Sequence, residues 1–322
     1  MNNSMFKTPI SLHVFNRPET TKKLFDVIRI IKPEKIFITA DGPRDGHPND
    51  IKNCKKVRDI FNKIDWDCEL QKNFSEINKG AFRSTSEGIT WVFTHVDRAI
   101  ILEDDCIPGN SFFTYCHELL NYYENDKRIA LISGNNFQLN KNKTEDSYYF
   151  SRYTHIWGWA TWKRTWEQVD FSMKDWPEYK KINGLKSLFS NKKAINYWSD
   201  IFQDMYDKKS EPHWDFLLSL SSYMNNTLTI IPNKNLVSNI GFGPSANITK
   251  KKIKFHSLKI EEMSFPLQHP KFVCSFINAD NFTEETRFSG TSSFLKNKAR
   301  KYMPFHFWNF LKNLRDFLLK VN

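Results

Sequence analysis

The sequence predicts an α/β protein whose mostly parallel sheet is flanked by helices. Two observations carry that expectation. Strand-like apolar runs alternate with amphipathic helical segments through the first 135 residues, and helices of that length imply crossover connections between parallel strands. Polar residues also follow three of the apolar runs: Asn16-Arg17, Asp41 and Glu103-Asp104-Asp105. Ligands in such sheets bind at the carboxyl ends of the strands.

The elements follow in order. Ile10–Phe15 reads as the first strand, broken by Asn16-Arg17-Pro18. From Pro18 to about Ile31, Leu24, Phe25, Ile28 and Ile31 recur at helical spacing, and proline suits a first helical turn. Lys35–Ala40 is the second strand, closed by the turn signal Asp41-Gly42-Pro43. Val57–Ile64 reads as helix and Cys68–Leu70 as a short third strand. Gly80–His95 forms a helix with Ile89, Val92, Phe93 and Val96 on one face. The strand Ala99–Leu102, the helix Ser111–Tyr123 and the strand Ile129–Ser133 complete this half.

The second half is less regular. Tyr148–Trp166 is rich in aromatics and holds Trp157-Gly158-Trp159-Ala160-Thr161-Trp162. Indole faces can pack on sugar rings, and three tryptophans can equally bury core area, so both readings stand. Ala194–Asp207 and His213–Met224 read as helices, and Leu228–Ile231 with Asn235–Ile240 as a pair of strands. A glycine-containing loop follows at Gly241–Asn247, then Lys250-Lys251-Lys252 and Lys254. Backbone N–H groups there could cradle phosphate, but the P-loop pattern is absent, and a mobile surface loop reads the same way.

With 322 residues, 40% hydrophobic and 15% aromatic, the chain can bury a large core and is not a disordered protein. Its formal charge of +11 suits anionic partners. Five scattered cysteines show no CxxC pair, which argues against a disulfide framework or a cysteine zinc site. No apolar run approaches the length of a bilayer span, and no signal-peptide core opens the chain. The expectation is a cytoplasmic protein, with peripheral attachment to the inner membrane face open.

Residues 100–108, Ile-Ile-Leu-Glu-Asp-Asp-Cys-Ile-Pro, carry the chemistry. Three adjacent carboxylates at the end of a buried strand repel one another, and a divalent cation relieves that repulsion. Hard oxygen ligands suit Mn²⁺ or Mg²⁺, which also bind diphosphates. Without the strand context the same triplet would read as a solvated acidic turn. Asp215, after Trp214 at a helix start, reads either as an ordinary first-turn acid or as a base. Among the histidines, His155, His213 and His256 are candidate ligands or bases, His213 foremost because it neighbours Asp215.

Pro9–Pro18, Thr39–Arg44, Leu102–Pro108, Trp157–Trp162, Trp214-Asp215 and Asn235–Asn247 together resemble nucleotide-diphospho-sugar glycosyltransferases of the GT-A fold. The pattern is that of bacterial family-2-like sugar transferases, similar in layout to the eukaryotic N-acetylglucosaminyltransferase of the first N-glycan branch. It covers about residues 8–250. The resemblance implies that Asp105 ligates the metal, Asp104 bonds the ribose and Glu103 touches the donor sugar. It places Arg17 beside the uracil, Asp41 at the base, and Arg83 and Ser84 along the base pocket. Trp214 would lie against the donor sugar, and Asp215 would be the catalytic base. Asn247 and Thr249 would sit in a loop closing over the diphosphate. The Glu-Asp-Asp form departs from the common Asp-x-Asp but matches the eukaryotic relative, whose histidine is replaced here by Ser84.

On this reading residues 1–290 form the catalytic domain, with a nucleotide-binding half to about 135 and an acceptor and donor-sugar half from about 136. Residues 291–322 form a basic tail with seven Lys or Arg against Asp316 alone. After Pro304, its apolar stripe from Phe307 to Val321 suits an anionic membrane interface or docking on protein. The expected activity is inverting, metal-dependent transfer of a hexosyl or N-acetylhexosaminyl group, from a nucleotide-sugar donor (UDP first) to a saccharide or lipid-linked acceptor. Surface polysaccharide biosynthesis is the expected setting. A sugar nucleotidyltransferase shares the sheet and metal logic but calls for a glycine-rich basic signature after strand one, which Asn16-Arg17-Pro18 is not. A non-catalytic carbohydrate- or nucleic-acid-binding protein is a further alternative. Nucleic acid is not an expected partner, because no recognised motif is present and the charge concentrates in the tail.

Overall fold

The computed structural model describes residues 5–241 and 255–288. The elements of the first half are β1 (Ile10–Val14), α1 (Pro18–Ile31), β2 (Lys35–Ala40), α2 (Pro48–Ile60), β3 (Glu69–Phe74), α3 (Gly80–Phe93), β4 (Arg98–Glu103), β5 (Cys106–Pro108), α4 (Asn110–Tyr122) and β6 (Ile129–Ser133). Then come β7 (Tyr148–Ser151), β8 (Trp159–Trp162), α5 (Lys163–Trp166), α6 (Trp176–Lys181), α7 (Leu185–Leu188), α8 (Lys192–Tyr206), α9 (Trp214–Met224), β9 (Leu228–Pro232), β10 (Val237–Asn239) and α10 (Ile277–Arg287).

Eight strands form one sheet in the order β3-β2-β1-β4-β8-β6-β9-β7. The run β3-β2-β1-β4 is parallel throughout, and β6 and β9 are parallel to each other. Strands β8 and β7 run antiparallel to their neighbours. The expected α/β architecture with a mostly parallel sheet and flanking helices is therefore present. Burial explains the sequence pattern: β1, β4 and β6 are covered on both faces, so their apolar runs are continuous rather than alternating. Two large apolar clusters lie on the two faces, one around Leu24, Phe112 and Tyr148, the other around Phe37, Trp159 and Trp198.

The order also locates the site. The chain lays β1, β2 and β3 outward to one side, then returns to place β4 on the other side of β1. The connections after β1 and β4 thus diverge, which opens a crevice at their carboxyl ends. Pro18 starts α1 at this edge, and α1 turns its buried Leu24, Phe25 and Ile28 to the sheet.

Several boundaries differ from the sequence reading. The helix expected from Val57 begins at Pro48, and the third strand extends to Phe74. The segments 228–231 and 235–240 are strands but not partners. Strand β9 joins the main sheet between β6 and β7, whereas β10 pairs with β5 in a separate two-stranded ribbon. The turn at Asn233-Lys234-Asn235 is opened by side-chain bonds: Asn235 donates to the carbonyl of Val237 at 3.0 Å, and its Oδ1 accepts from the N–H of Asn136 at 3.1 Å. The aromatic segment supplies β7 and β8, and Trp159 and Trp162 are buried. Among the described residues no helix is long and apolar enough to cross a membrane. The tail from 291 lies outside them.

Asp50 on α2 fastens the edge of the crevice. It accepts from Asn16 Nδ2 at 2.6 Å and from Arg44 Nε at 2.6 Å, and its side chain is 5% exposed. The Arg44 bond holds the Asp50 carboxyl down to about 2, against burial, which would raise it. Its stabilising effect is therefore complete above the ordinary carboxylate value and is lost as pH falls through about 2. Asp50→Asn is expected to lower unfolding free energy by about 1–2 kcal/mol at neutral pH. In urea titrations the gap from the native protein should close towards pH 2; equal stability at neutral pH would refute this anchoring role.

Candidate active site

Strand β4 delivers Glu103 opposite His13 of β1, and Asp104 and Asp105 follow as the chain leaves the sheet. Asp104 and Asp105 are 2% and 7% exposed. Arg17, the residue before α1, reaches both. Its Nη2 lies 2.5 Å from Asp104 Oδ1, and its Nη1 donates to Asp105 Oδ2 at 2.9 Å. The N–H of Phe15 donates to Asp104 Oδ2 at 3.3 Å, and Asn239 Nδ2 donates to Asp105 Oδ1 at 3.3 Å. Strand ends β1 and β4 and the ribbon strand β10 thus converge on one acidic cluster.

One guanidinium faces three carboxylates, so they cannot all ionise without repelling one another. Burial, then the fields of Asp105 and Asp104, push Glu103 up to about 8. Burial likewise lifts Asp104 to about 7, with Arg17 opposing and Asp105 adding to the rise. Burial alone would pull the Arg17 guanidinium down, but Asp104 and Asp105 outweigh it and the net shift is upward. Among the described residues no three His, Cys, Asp or Glu side chains form a metal cage. The donor set suits the other kind of site, in which a hard cation takes one or two carboxylates and fills its shell with water and substrate phosphate. Such a cation would displace the protons that burial and mutual repulsion leave on Glu103 and Asp104.

Gly241 completes the cluster. Its N–H donates to Asn239 Oδ1 at 2.9 Å, and the N–H of Ile240 donates to the carbonyl of Asp105 at 2.9 Å. A Cβ built on Gly241 would overlap the Asp105 carboxylate. The sequence flags this glycine for loop freedom; the structure gives close approach as its reason. Asn247 and Thr249 lie outside the described residues.

Asp41, at the end of β2, is 5% exposed. Its Oδ1 accepts from the N–H groups of Gly42 at 2.9 Å and Lys79 at 2.8 Å. Its Oδ2 accepts from Gly80 N–H at 3.1 Å and Asn78 Nδ2 at 3.0 Å. Four donors fill a carboxylate. Asp41 therefore fastens the 78–80 turn and sets the start of α3, where Arg83 and Ser84 sit. Arg83 is exposed, 3.7 Å from Glu87. Burial raises the Asp41 carboxyl despite these bonds.

Trp214 and Asp215 open α9. Trp214 is 7% exposed and stacks on Trp159, with ring centres 6.0 Å apart. The tryptophan segment divides accordingly. Trp159 and Trp162 are core, while Trp157 is only partly buried, beside Phe137 and His256. Gly158, at φ +71°, has Val237 and Leu102 where a Cβ would point, so the 157–159 turn packs on the residue preceding Glu103. Burial raises the Asp215 carboxyl, with His213 and Arg287 opposing the rise. Asp215 in turn adds to the upward push on Glu103. Residues more than a hundred positions apart therefore share one electrostatic environment. His155 is buried, and burial first, then Arg287, holds it well below its ordinary value, so it is neutral.

Asn239, Asn135 and Arg287 belong to these surroundings but were not singled out by sequence. Asn239 sits inside the 235–247 block, two residues before Gly241. Arg287 gives no local signal, since its neighbours come from distant parts of the chain.

No family model matches the chain, and no curated protein matches it in sequence. Several solved structures are similar to it in fold. A mannosyltransferase from Pyrobaculum calidifontis, in complex with GDP-Man and Mn²⁺, is 10% identical with a TM-score of 0.34, covering 67% of this chain and 69% of its own. Residues 1–349 of S. aureus TarS are 10% identical with a TM-score of 0.41, covering 72% of this chain and 59% of that one. Mouse xyloside xylosyltransferase 1 is 10% identical with a TM-score of 0.35, over 69% and 83%. A 4-diphosphocytidyl-2C-methyl-D-erythritol synthase from Anaerococcus prevotii, 12% identical with a TM-score of 0.32, covers 58% and 80%.

Gly241→Ala is expected to displace the Asp105 carboxylate while leaving the sheet intact. In urea titrations the variant should be less stable than native by about 1–3 kcal/mol, the usual cost of overpacking. Equal stability would show that the close approach at Gly241 does not shape the cluster.

Proposed function

We propose that the protein is an inverting, metal-dependent glycosyltransferase. It would move a hexosyl or N-acetylhexosaminyl group from a nucleotide diphosphate, UDP first, to a saccharide or lipid-linked acceptor in surface polysaccharide biosynthesis. One observation supports this most: Asp104 and Asp105 sit buried with Arg17 at the switch point between β1 and β4, and the 157–159 turn packs between that strand end and Trp214, the neighbour of Asp215. A nucleotide-binding edge and a second-half carboxylate next to it are what sugar transfer requires.

In this reading Asp105 holds Mn²⁺ or Mg²⁺. Bound there, the cation would neutralise charge on the departing diphosphate. Asp104 bonds the ribose and Glu103 the donor sugar. Arg17 borders the base and, through its pairing with Asp104 and Asp105, ties the base side to the metal side. Asp41 reads the base region through the turn it holds, with Arg83 and Ser84 near the start of α3. Trp214, stacked on Trp159, would present what remains of its edge to the donor sugar. Asn247 and Thr249 would close over the diphosphate. Asp215 accepts the proton of the acceptor hydroxyl as that oxygen bonds the anomeric carbon and the nucleotide diphosphate leaves. Its raised carboxyl makes it a stronger base than an exposed aspartate.

Three measurements test the reading. A thermal-shift screen of nucleotide-sugars with and without Mn²⁺ should give stabilisation that requires the metal and disappears in EDTA. Absence of any nucleotide-dependent shift would overturn the proposal. Asp215→Asn should lower turnover by at least about 10²-fold while preserving donor affinity; near-native turnover would remove Asp215 as the base. The basic tail is proposed to bind an anionic membrane, so deleting 303–322 should move the protein to the soluble fraction. Unchanged fractionation would favour docking on protein.

A further inference from the structure

Arg287 ends α10, and the roles assigned above leave it unused. Its guanidinium lies 3.7 Å from the ring centre of Phe137, 5.0 Å from Trp157 and 5.4 Å from Phe255. Aromatic faces hold a cation through their quadrupoles but give its N–H groups no full acceptor. Nη1 is in fact buried without a hydrogen-bond partner. Burial pulls the guanidinium down to about 10, against the fields of Tyr197 and Asp215, so it is charged at neutral pH.

A second orphan donor lies nearby. Asn135 is 0% exposed. Its Oδ1 accepts from the N–H of Trp157 at 3.3 Å, and its Nδ2 is buried without a partner. Both orphan donors thus flank Trp157. The following residue, Gly158, packs on Leu102 beside Glu103, and Trp159 stacks on Trp214 beside Asp215. Leaving buried donors unpaired is costly unless something else satisfies them.

We propose that Arg287, assisted by Asn135, binds an anionic group carried by the acceptor, a carboxylate or a phosphate. The guanidinium fork matches either group. Assignment to the acceptor rests on Asp215 being the base of the reaction proposed above, since Arg287 lies on the Asp215 side of the cluster. The aromatic surround keeps the cation in place when no anion is bound.

Trp157 touches the cation, so its emission reports occupancy. The full chain would be titrated with glucuronate and with hexyl phosphate, using glucose and hexanol as uncharged counterparts, with and without saturating UDP and Mn²⁺. At least one anion should give a saturable change that is absent in Trp157→Phe and that the uncharged compounds do not produce. Arg287→Lys, which keeps the charge but loses the fork, should weaken binding less than Arg287→Met and Arg287→Gln, which should weaken it by at least about tenfold. A response to glucuronate alone identifies an acidic sugar, one to hexyl phosphate alone a phosphate-linked acceptor, and one to both the shared chemistry. Should neither anion saturate the native protein, or should the Met and Gln variants bind as tightly as native, the proposal is overturned. If both variants fail to fold, salt decides: native affinity must fall as ionic strength rises, and a salt-independent affinity overturns the proposal. Competition by UDP with Mn²⁺ would put the donor diphosphate on Arg287 and also overturn it. Anion binding at Arg287 without any stabilisation by nucleotide and Mn²⁺ would instead sink the glycosyltransferase reading alone.

Discussion

The site depends on a charge imbalance at the end of β4. Three carboxylates leave the sheet in succession, two of them buried, and the single guanidinium of Arg17 reaches two. Burying charge without full compensation is expensive, and the surrounding chain is arranged around that cost. Phe15 N–H, Asn239 and Arg17 all point donors at the cluster. Gly241 has no side chain because the Asp105 carboxylate occupies its space. Even so, Glu103 and Asp104 remain well above their ordinary values. A fold that needed only stability would place apolar residues at such a strand end. Keeping three carboxylates together there instead raises their hold on protons.

The first half of this arrangement is legible in the sequence because its cause is local. A strand covered on both faces must read as an unbroken apolar run, so β1, β2, β4 and β6 are visible without neighbours. The polar residues at their ends, Arg17, Asp41 and Glu103–Asp105, share one edge because crossover connections keep the strands parallel. What stays hidden there is how each side chain is used. Asp41 binds the 78–80 turn with both oxygens, and no spacing rule reveals that three of its four donors come from residues nearly forty positions away.

The second half is harder to read for a physical reason. Its strands β7 and β8 run antiparallel inside a sheet whose faces are both covered, so aromatic residues occupy successive positions and no period survives. The same aromatics close the core: Trp214 on Trp159, and Trp198 against Phe202 and Tyr223. Likewise β10 leaves the sheet to pair with β5, a choice made by the Asn235 side chain and by the ribbon residues that approach Asp105. Apolar patterning alone joins the 228–231 and 235–240 segments as a hairpin, because it is blind to such polar bonds.

The 157–159 turn brings the two halves together. Gly158 adopts a positive φ and leaves room for Leu102 and Val237, which lets the turn lie against the end of β4. Trp159 then fixes the start of α9 through Trp214, and α9 carries Asp215. Trp157 faces the other way in function, since its backbone N–H binds Asn135 and its ring borders Arg287. Three consecutive residues therefore transmit position between the acidic cluster, the second carboxylate and an aromatic-bound cation. Packing rather than salt bridging sets these relations, and packed aromatic contacts tolerate little displacement. The position of the site's carboxylates is consequently set by aromatic packing as much as by their own ion pairs.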